Sequence, residues 1–166
     1  MNRKLQTILW YIVPILIVLS KWMRGPSAYN NFVIYKYSFW HLLQQSNLYQ
    51  KYPAAYFDQF LYGPLFGVLM APFALLPDLL GTTCWISFSM WVLYKGLSYF
   101  TGENPPIILY IIALLEAATS VHNLQFNLLI AGGLLWAFAL VKQEKEWASA
   151  LLIIILMLTK IYGVVS

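Results

Sequence analysis

The chain has 166 residues, 61% apolar and only 10% charged, whereas soluble domains carry about 25% charged residues; a water-exposed surface cannot be built from this. The net charge of +4 comes from ten scattered Lys and Arg residues, without the basic cluster that nucleic-acid binding needs, so no nucleic-acid partner is expected. A single cysteine, Cys84, excludes an intrachain disulfide and a cysteine-based metal site.

A hydrocarbon core of about 30 Å takes roughly 20 apolar residues in a helix, because only a helix or a closed barrel satisfies the backbone inside lipid. Six apolar runs of helical character follow one another, over about 5–23, 61–77, 80–99, 106–121, 124–141 and 147–165. They predict an all-α, polytopic transmembrane helix bundle forming a single domain over 1–166. The first run follows Met1-Asn2-Arg3-Lys4 in the manner of a signal peptide, yet no small-x-small cleavage site comes after Ser20. It reads as a retained signal anchor. Pro14, Pro64 and Pro72 fall inside the first two runs and are expected to kink them.

The one long connection, 24–60, is too polar to cross a bilayer. From Asn30 to Gln44 the residues Phe32, Tyr35, Phe39, Leu42 and Leu43 recur at helical spacing between polar ones, which predicts an interfacial helix. Ser46-Asn47 breaks that pattern, and Tyr52-Pro53 opens a second short segment ending at Asp58-Gln59-Phe60. Twelve aromatic rings fall between Tyr29 and Tyr62, with Asp58 the only acid before Leu76. Rings beside a carboxylate suit carbohydrate binding, and the same rings suit a membrane belt.

Ionisable residues inside apolar runs are candidates for function unless paired or facing water. Glu116 ends the run from Ile107, and His122, Asn123, Gln125 and Asn127 follow closely; Lys160 interrupts the last run. Glu116 reads either as a hydrogen-bonded structural carboxylate or as part of a polar site, and Lys160 either as a snorkelling cation or as a partner for phosphate. His122 reads as an interfacial turn residue before it reads as a ligand. Two histidines without spaced partners give no zinc motif, and no metal residues are assigned. Gly132-Gly133 marks close helix packing. Arg3 and Lys4 favour a cytoplasmic N-terminus, but six crossings would put 142–146 outside, against the positive-inside rule, unless a middle segment is re-entrant.

The order Asn31-Phe32-Val33-Ile34-Tyr35, Asn47-Leu48-Tyr49, Leu61-Tyr62-Gly63-Pro64-Leu65-Phe66, Pro72-Phe73-Ala74-Leu75-Leu76-Pro77 and Trp85 resembles glycosyltransferase family 87. Gln125-Phe126-Asn127 is similar to that family's Gln-x-Asn, and Thr159-Lys160-Ile161 to its lysine-bearing helix end. The resemblance extends over about 30–165. It implies a GT-C-type hexosyl or mannosyl transferase of the bacterial plasma (inner) membrane, its active face extracytoplasmic. The donor would be a polyprenyl-phosphate sugar and the acceptor an envelope glycolipid or glycan, with no cofactor beyond these substrates.

In such enzymes an Asp of the first extracytoplasmic loop deprotonates the acceptor hydroxyl. Asn31 stands at that position here, and an amide cannot take the proton. Asp58 in the same loop is the expected base, with Glu116 as the other carboxylate available; loss of transferase activity is the third reading of the departure. Lys160 is expected to meet the lipid phosphate, with Tyr62, His122, Gln125 and Asn127 as substrate-binding residues. The family's greater length marks this chain as an N-terminal fragment, inactive alone. The contrasting reading is a non-enzymatic transport or scaffold protein in which Glu116, His122 and Lys160 line a polar path.

Overall fold

The computed structural model describes residues 3–101 and 106–160. The described chain is helical, without strands: α1 (Arg3–Met23), a 3₁₀ turn (Pro26–Tyr29), α2 (Asn30–Leu43), α3 (Pro64–Leu69), α4 (Ala71–Ala74), α5 (Asp78–Thr101), α6 (Ile107–His122), α7 (Asn127–Lys142) and α8 (Glu146–Thr159). The helix predicted from Asn30 is present as α2.

The run over 61–77 is not one segment. Pro64 and Pro72 each lie in the first turn of a short helix, where a missing N–H is no loss. The helices α3 and α4 have 6 and 4 residues, about 9 and 6 Å at the α-helical rise, far short of a bilayer core. Apolar content alone suggested a crossing; the two prolines divide it into separate turns.

Among the described residues one helix, over Leu5–Met23, is long and apolar enough to cross a membrane, while α6, α7 and α8 are apolar but shorter, at 16, 16 and 14 residues. The helix α5 has 24 residues but carries Thr82, Thr83, Ser87, Ser89, Lys95 and Ser98 along its length. Of the six predicted runs, that over 61–77 is a short broken pair, and α1, α5, α6, α7 and α8 lie over the other five. The end of the last predicted segment, 161–165, lies outside the described residues.

Three helices end in the same motif. After α2, α6 and α7 the residues Gln45, Leu124 and Glu144 take φ of 55°, 48° and 59°. The N–H groups of Ser46, Gln125 and Lys145 then reach back to the carbonyls of His41, Ser120 and Leu140, the pattern of a Schellman cap. This is why α7 begins at Asn127 rather than at 124. Leu124 is a bulky side chain in a left-handed conformation, and its complete burial holds it there.

Contacts along the helices fix their directions. Tyr110 near the start of α6 donates to the Gln6 carbonyl of α1, and Ser20, Arg24 and His122 line one groove at their far ends; α1 and α6 run parallel. Along α5 and α7 the numbers also rise together: Trp85 stacks on Phe126, Gly96 meets Gly132, and Lys142 lies over the Phe100 ring. On α8, Ser149 donates to the Ala137 carbonyl while Leu156 packs on Gly133, so α7 and α8 are antiparallel.

Glycines set the closest approach. A Cβ on Gly132 would stand 2.6 Å from the Leu93 backbone, and one on Gly133 2.8 Å from the Leu156 side chain. With two adjacent glycines, α7 fits between α5 and α8 as the sequence predicts. At the centre of α1 the indole of Trp10 is fully buried and donates to the Met90 carbonyl of α5 at 3.0 Å.

The result is a two-ended bundle. One end carries the 24–63 connection, the start of α5, the end of α6, the start of α7 and the end of α8; the other carries the end of α5, the start of α6 and the 142–146 connection.

Candidate functional site

The long connection is organised by its asparagines. The Asn30 side chain accepts from the Phe57 N–H at 3.1 Å and donates to the Phe57 carbonyl at 2.5 Å, clamping the chain just before Asp58. Asn47 accepts from the Tyr49 N–H at 2.9 Å and closes a turn. Tyr49 in turn donates to the Tyr62 carbonyl. Most rings of this region pack inward: Tyr29, Phe32, Tyr35, Tyr56 and Phe60 are buried. They form a core for the connection, a role beyond the two that composition suggested. Beneath the site Tyr62 stacks on Phe66 at 4.7 Å, and Phe66 meets Phe126 edge-on at 4.9 Å.

Gly63 joins this connection to α8. Its N–H donates to the Thr159 carbonyl at 3.0 Å, and a Cβ there would collide with the Leu158 carbonyl. Only glycine allows that approach. Tyr62 is thereby set beside Lys160, whose ammonium lies 5.6 Å from the Tyr62 ring centroid.

These constraints form a cavity of about 210 Å³ lined by Asn31, Tyr35, Asp58, Gln59, Tyr62, Gln125, Asn127 and Lys160, among others. Six residues singled out in the sequence, Asn31, Asp58, Tyr62, Gln125, Asn127 and Lys160, thus meet at one place from four separate parts of the chain. Lys160 Nζ donates to Asn127 Oδ1 at 2.7 Å, and Asn127 Nδ2 donates to Gln125 Oε1 at 2.8 Å. On the opposite wall Asn31 Nδ2 donates to the Asn123 carbonyl at 2.7 Å, which leaves its Oδ1 as an acceptor. Tyr35 and Tyr62 share a hydroxyl hydrogen bond of 3.0 Å. Burial pushes the Tyr35 phenol well above its ordinary value, and Tyr62 adds to the shift, so Tyr35 remains protonated and cannot act as a base.

Asp58 is exposed to this cavity, with Oδ1 accepting from the Gln59 N–H at 2.8 Å. Its Oδ2 has no protein donor among the described residues. Its φ of 99° lies where glycine is at ease and other residues are strained. A second cavity of about 250 Å³ shares Asn31 and Asp58 and is also lined by Lys21. Asp58 therefore stands at the partition between two polar chambers.

Glu116 and His122 are elsewhere. Glu116 is exposed on α6 and lines neither chamber. His122 is exposed and lines a groove of about 480 Å³ with Val13, Leu16, Ile17, Ser20 and Arg24. No group of three or more His, Cys, Asp or Glu side chains among the described residues is placed to hold a metal ion. Sequence reasoning gave Asn123 as one of the polar residues after Glu116 but assigned no site role to it, nor to Gln59, Lys21 or Asn30. Asn30 sits beside Asn31, and adjacency was the available signal.

No curated protein and no solved structure matches the chain. The family model of glycosyltransferase family 87 matches residues 60–166. That span runs from just before α3 through α8 and takes in Tyr62, Gln125, Asn127 and Lys160, while Asn31 and Asp58 precede it. With more than half of its length matched, from the Tyr62-Gly63-Pro64 turn onward, the chain belongs to glycosyltransferase family 87.

Proposed function

We propose that the protein transfers a hexosyl, in particular a mannosyl, unit from a polyprenyl-phosphate sugar to an envelope glycolipid or glycan at the extracytoplasmic face of the bacterial plasma membrane. Family membership supports sugar transfer in general. The observation that carries the finer reading is the sharing of one cavity by Asp58 and Lys160. A carboxylate able to take a proton thus faces a fixed cation able to meet an anionic leaving group, which are the two requirements of such a transfer.

In this mechanism Asp58 Oδ2 takes the proton of the acceptor hydroxyl as its oxygen bonds to the anomeric carbon. The bond from that carbon to the phosphate oxygen breaks, and the electron pair leaves with the lipid phosphate toward Lys160. Asn31, at the position of the family's aspartate, is held by Asn123 and accepts a hydrogen bond from a sugar hydroxyl through Oδ1. Gln125 and Asn127 orient the Lys160 ammonium. Helices α1, α5, α6, α7 and α8 are proposed as the membrane crossings, with α2, α3 and α4 lying at the outer surface. This count places the N-terminus and 142–146 on one side, removing the conflict that six crossings create.

Purified protein in proteoliposomes supplied with a polyprenyl-phosphate mannose and a glycolipid acceptor tests the reading. Asp58→Asn should lower the transfer rate by about a hundredfold or more with donor binding retained. Lys160→Met should weaken donor binding by about tenfold or more. Transfer that survives Asp58→Asn removes Asp58 as the base. Solute flux across the liposomes with no donor bound replaces the transferase by a transporter.

A further inference from the structure

Lys21 is the residue the transfer mechanism leaves unused, and its surroundings are unusual for a lysine at a helix end. Such a lysine ordinarily extends its ammonium away from apolar surface into water. Here Lys21 is only 9% exposed and lines the second chamber with Ser27, Asn30, Asn31, Asp58 and Asn123. It forms no side-chain hydrogen bond and no ion pair among the described residues; the salt bridge found there joins Lys36 to Asp78. Asp58 lines the same chamber but lies beyond ion-pairing distance. The stem is buried while Nζ still opens to the chamber, where a cation with no fixed counter-charge within ion-pairing distance favours an anion beside it.

The neighbourhood adds positive charge. Arg24 follows one turn later on the same side of the bundle, its guanidinium held on the Ser20 carbonyl at 3.3 Å. The amides of Asn30 and Asn31 are already committed to Phe57 and Asn123. At about 250 Å³ the chamber is at the small end of ligand pockets, enough for one polar unit.

We infer that the Lys21 chamber is an anion-binding subsite, and that the acceptor carries a phosphate or carboxylate close to the hydroxyl that attacks. The inference rests on the transferase reading above. Lys160 and Lys21 then hold one anionic substrate each on the two sides of Asp58. The acceptor anion seats on Lys21, its neighbouring hydroxyl reaches Asp58 across the chamber, and the donor phosphate stays with Lys160. Charge thus orients both substrates toward the partition and keeps their like-charged groups apart.

The test uses Lys160→Met protein in phosphatidylcholine nanodiscs, so that the donor-side cation is absent, with sn-glycerol 3-phosphate and glycerol as probes. Glycerol 3-phosphate is expected to bind and glycerol is not. Adding Lys21→Met should weaken that binding by about tenfold or more, while adding Lys21→Arg keeps it within about threefold. Absence of binding to the Lys160→Met protein, or binding unchanged by Lys21→Met, overturns the subsite. Should the Lys21→Met protein fail to fold, as judged by its helical circular dichroism, the phosphate-against-glycerol comparison and the Lys21→Arg variant still decide. Displacement by phosphatidate in the nanodisc assigns the anion to a lipid headgroup; retention assigns it to a water-borne group, and either upholds the subsite. An acceptor KM unchanged by Lys21→Met in otherwise wild-type protein sinks the subsite and leaves Asp58 as base. Transfer surviving Asp58→Asn sinks the base and leaves the binding result standing.

Discussion

Asp58 combines strain and chemistry in a single residue. With φ at 99° it occupies a conformation that a side chain disfavours, and such strain persists only where the surroundings impose it; here the Asn30 clamp on Phe57 does so. Asp58→Gly should therefore raise stability by about 1 kcal/mol, the scale of left-handed strain, while abolishing transfer. Asp58→Asn should lose transfer with no such gain. Thermal unfolding in detergent of the two variants checks this, and a loss of stability in Asp58→Gly would mean that the carboxylate bond to Gln59 outweighs the strain.

His41 offers a second test at this scale. Burial lowers its pKa from the ordinary value, and its ring packs 4.0 Å from that of Tyr52 with Nδ1 unpartnered. The unfolded chain binds this proton more readily than the folded one. Stability is therefore fully present above the ordinary imidazole range, about pH 6.5, and is lost as pH falls through the lowered folded value. Wild-type protein should melt progressively earlier from pH 7.5 to pH 5, and His41→Phe should flatten that slope. Equal slopes in both proteins would place the effect elsewhere.

Among the elements, the junction of α3 with α8 is the most demanding. Gly63→Ala forces the Leu158 carbonyl away from its present place and should cost about 1–3 kcal/mol, the range for overpacking. It should also weaken donor binding by shifting Lys160, a displacement that a purely structural glycine would not produce; the melting temperature and donor titration read the two effects separately. The motif around Tyr62-Gly63-Pro64 was visible in the sequence only through the resemblance to the family; by composition it was part of an apolar run. Gly132-Gly133 was legible directly, because two small residues side by side in an apolar helix mark a close backbone approach. The division of 61–77 into two short helices was not, since periodicity does not tell one crossing from two apolar turns. The cap at Leu124 also carried no signal, because leucine is not a turn residue and only its burial holds it there. The enclosure of Lys21 carried no signal, since it depends on Asn30, Phe57 and Asn123, residues distant in sequence or silent by type.

For the whole molecule, the arrangement of connections at two ends predicts a labelling pattern. In a Cys84→Ser background, a cysteine at exposed Gln45 and one at exposed Glu144 should react with an impermeant maleimide from opposite sides of a sealed membrane. Gln45 should be labelled from outside in intact cells and Glu144 only after permeabilisation. Labelling of both from one side would remove the five-crossing topology. Both chambers draw on the connection after α1 and the connection between α6 and α7, and the Lys160 chamber also needs the end of α8. The site is thus a property of the assembled bundle rather than of any local segment.

The bond from Gly63 to Thr159 has a biosynthetic consequence. A chain emerging from the ribosome exposes the Tyr62 turn long before α8 exists, so its N–H and the tight glycine surface wait unmatched until Thr159 arrives. The Lys160 wall can therefore assemble only after α8 has been made. A nascent chain that lacks α8 thus has the Tyr62 turn but not the closed Lys160 cavity, so the cavity forms only when both are present.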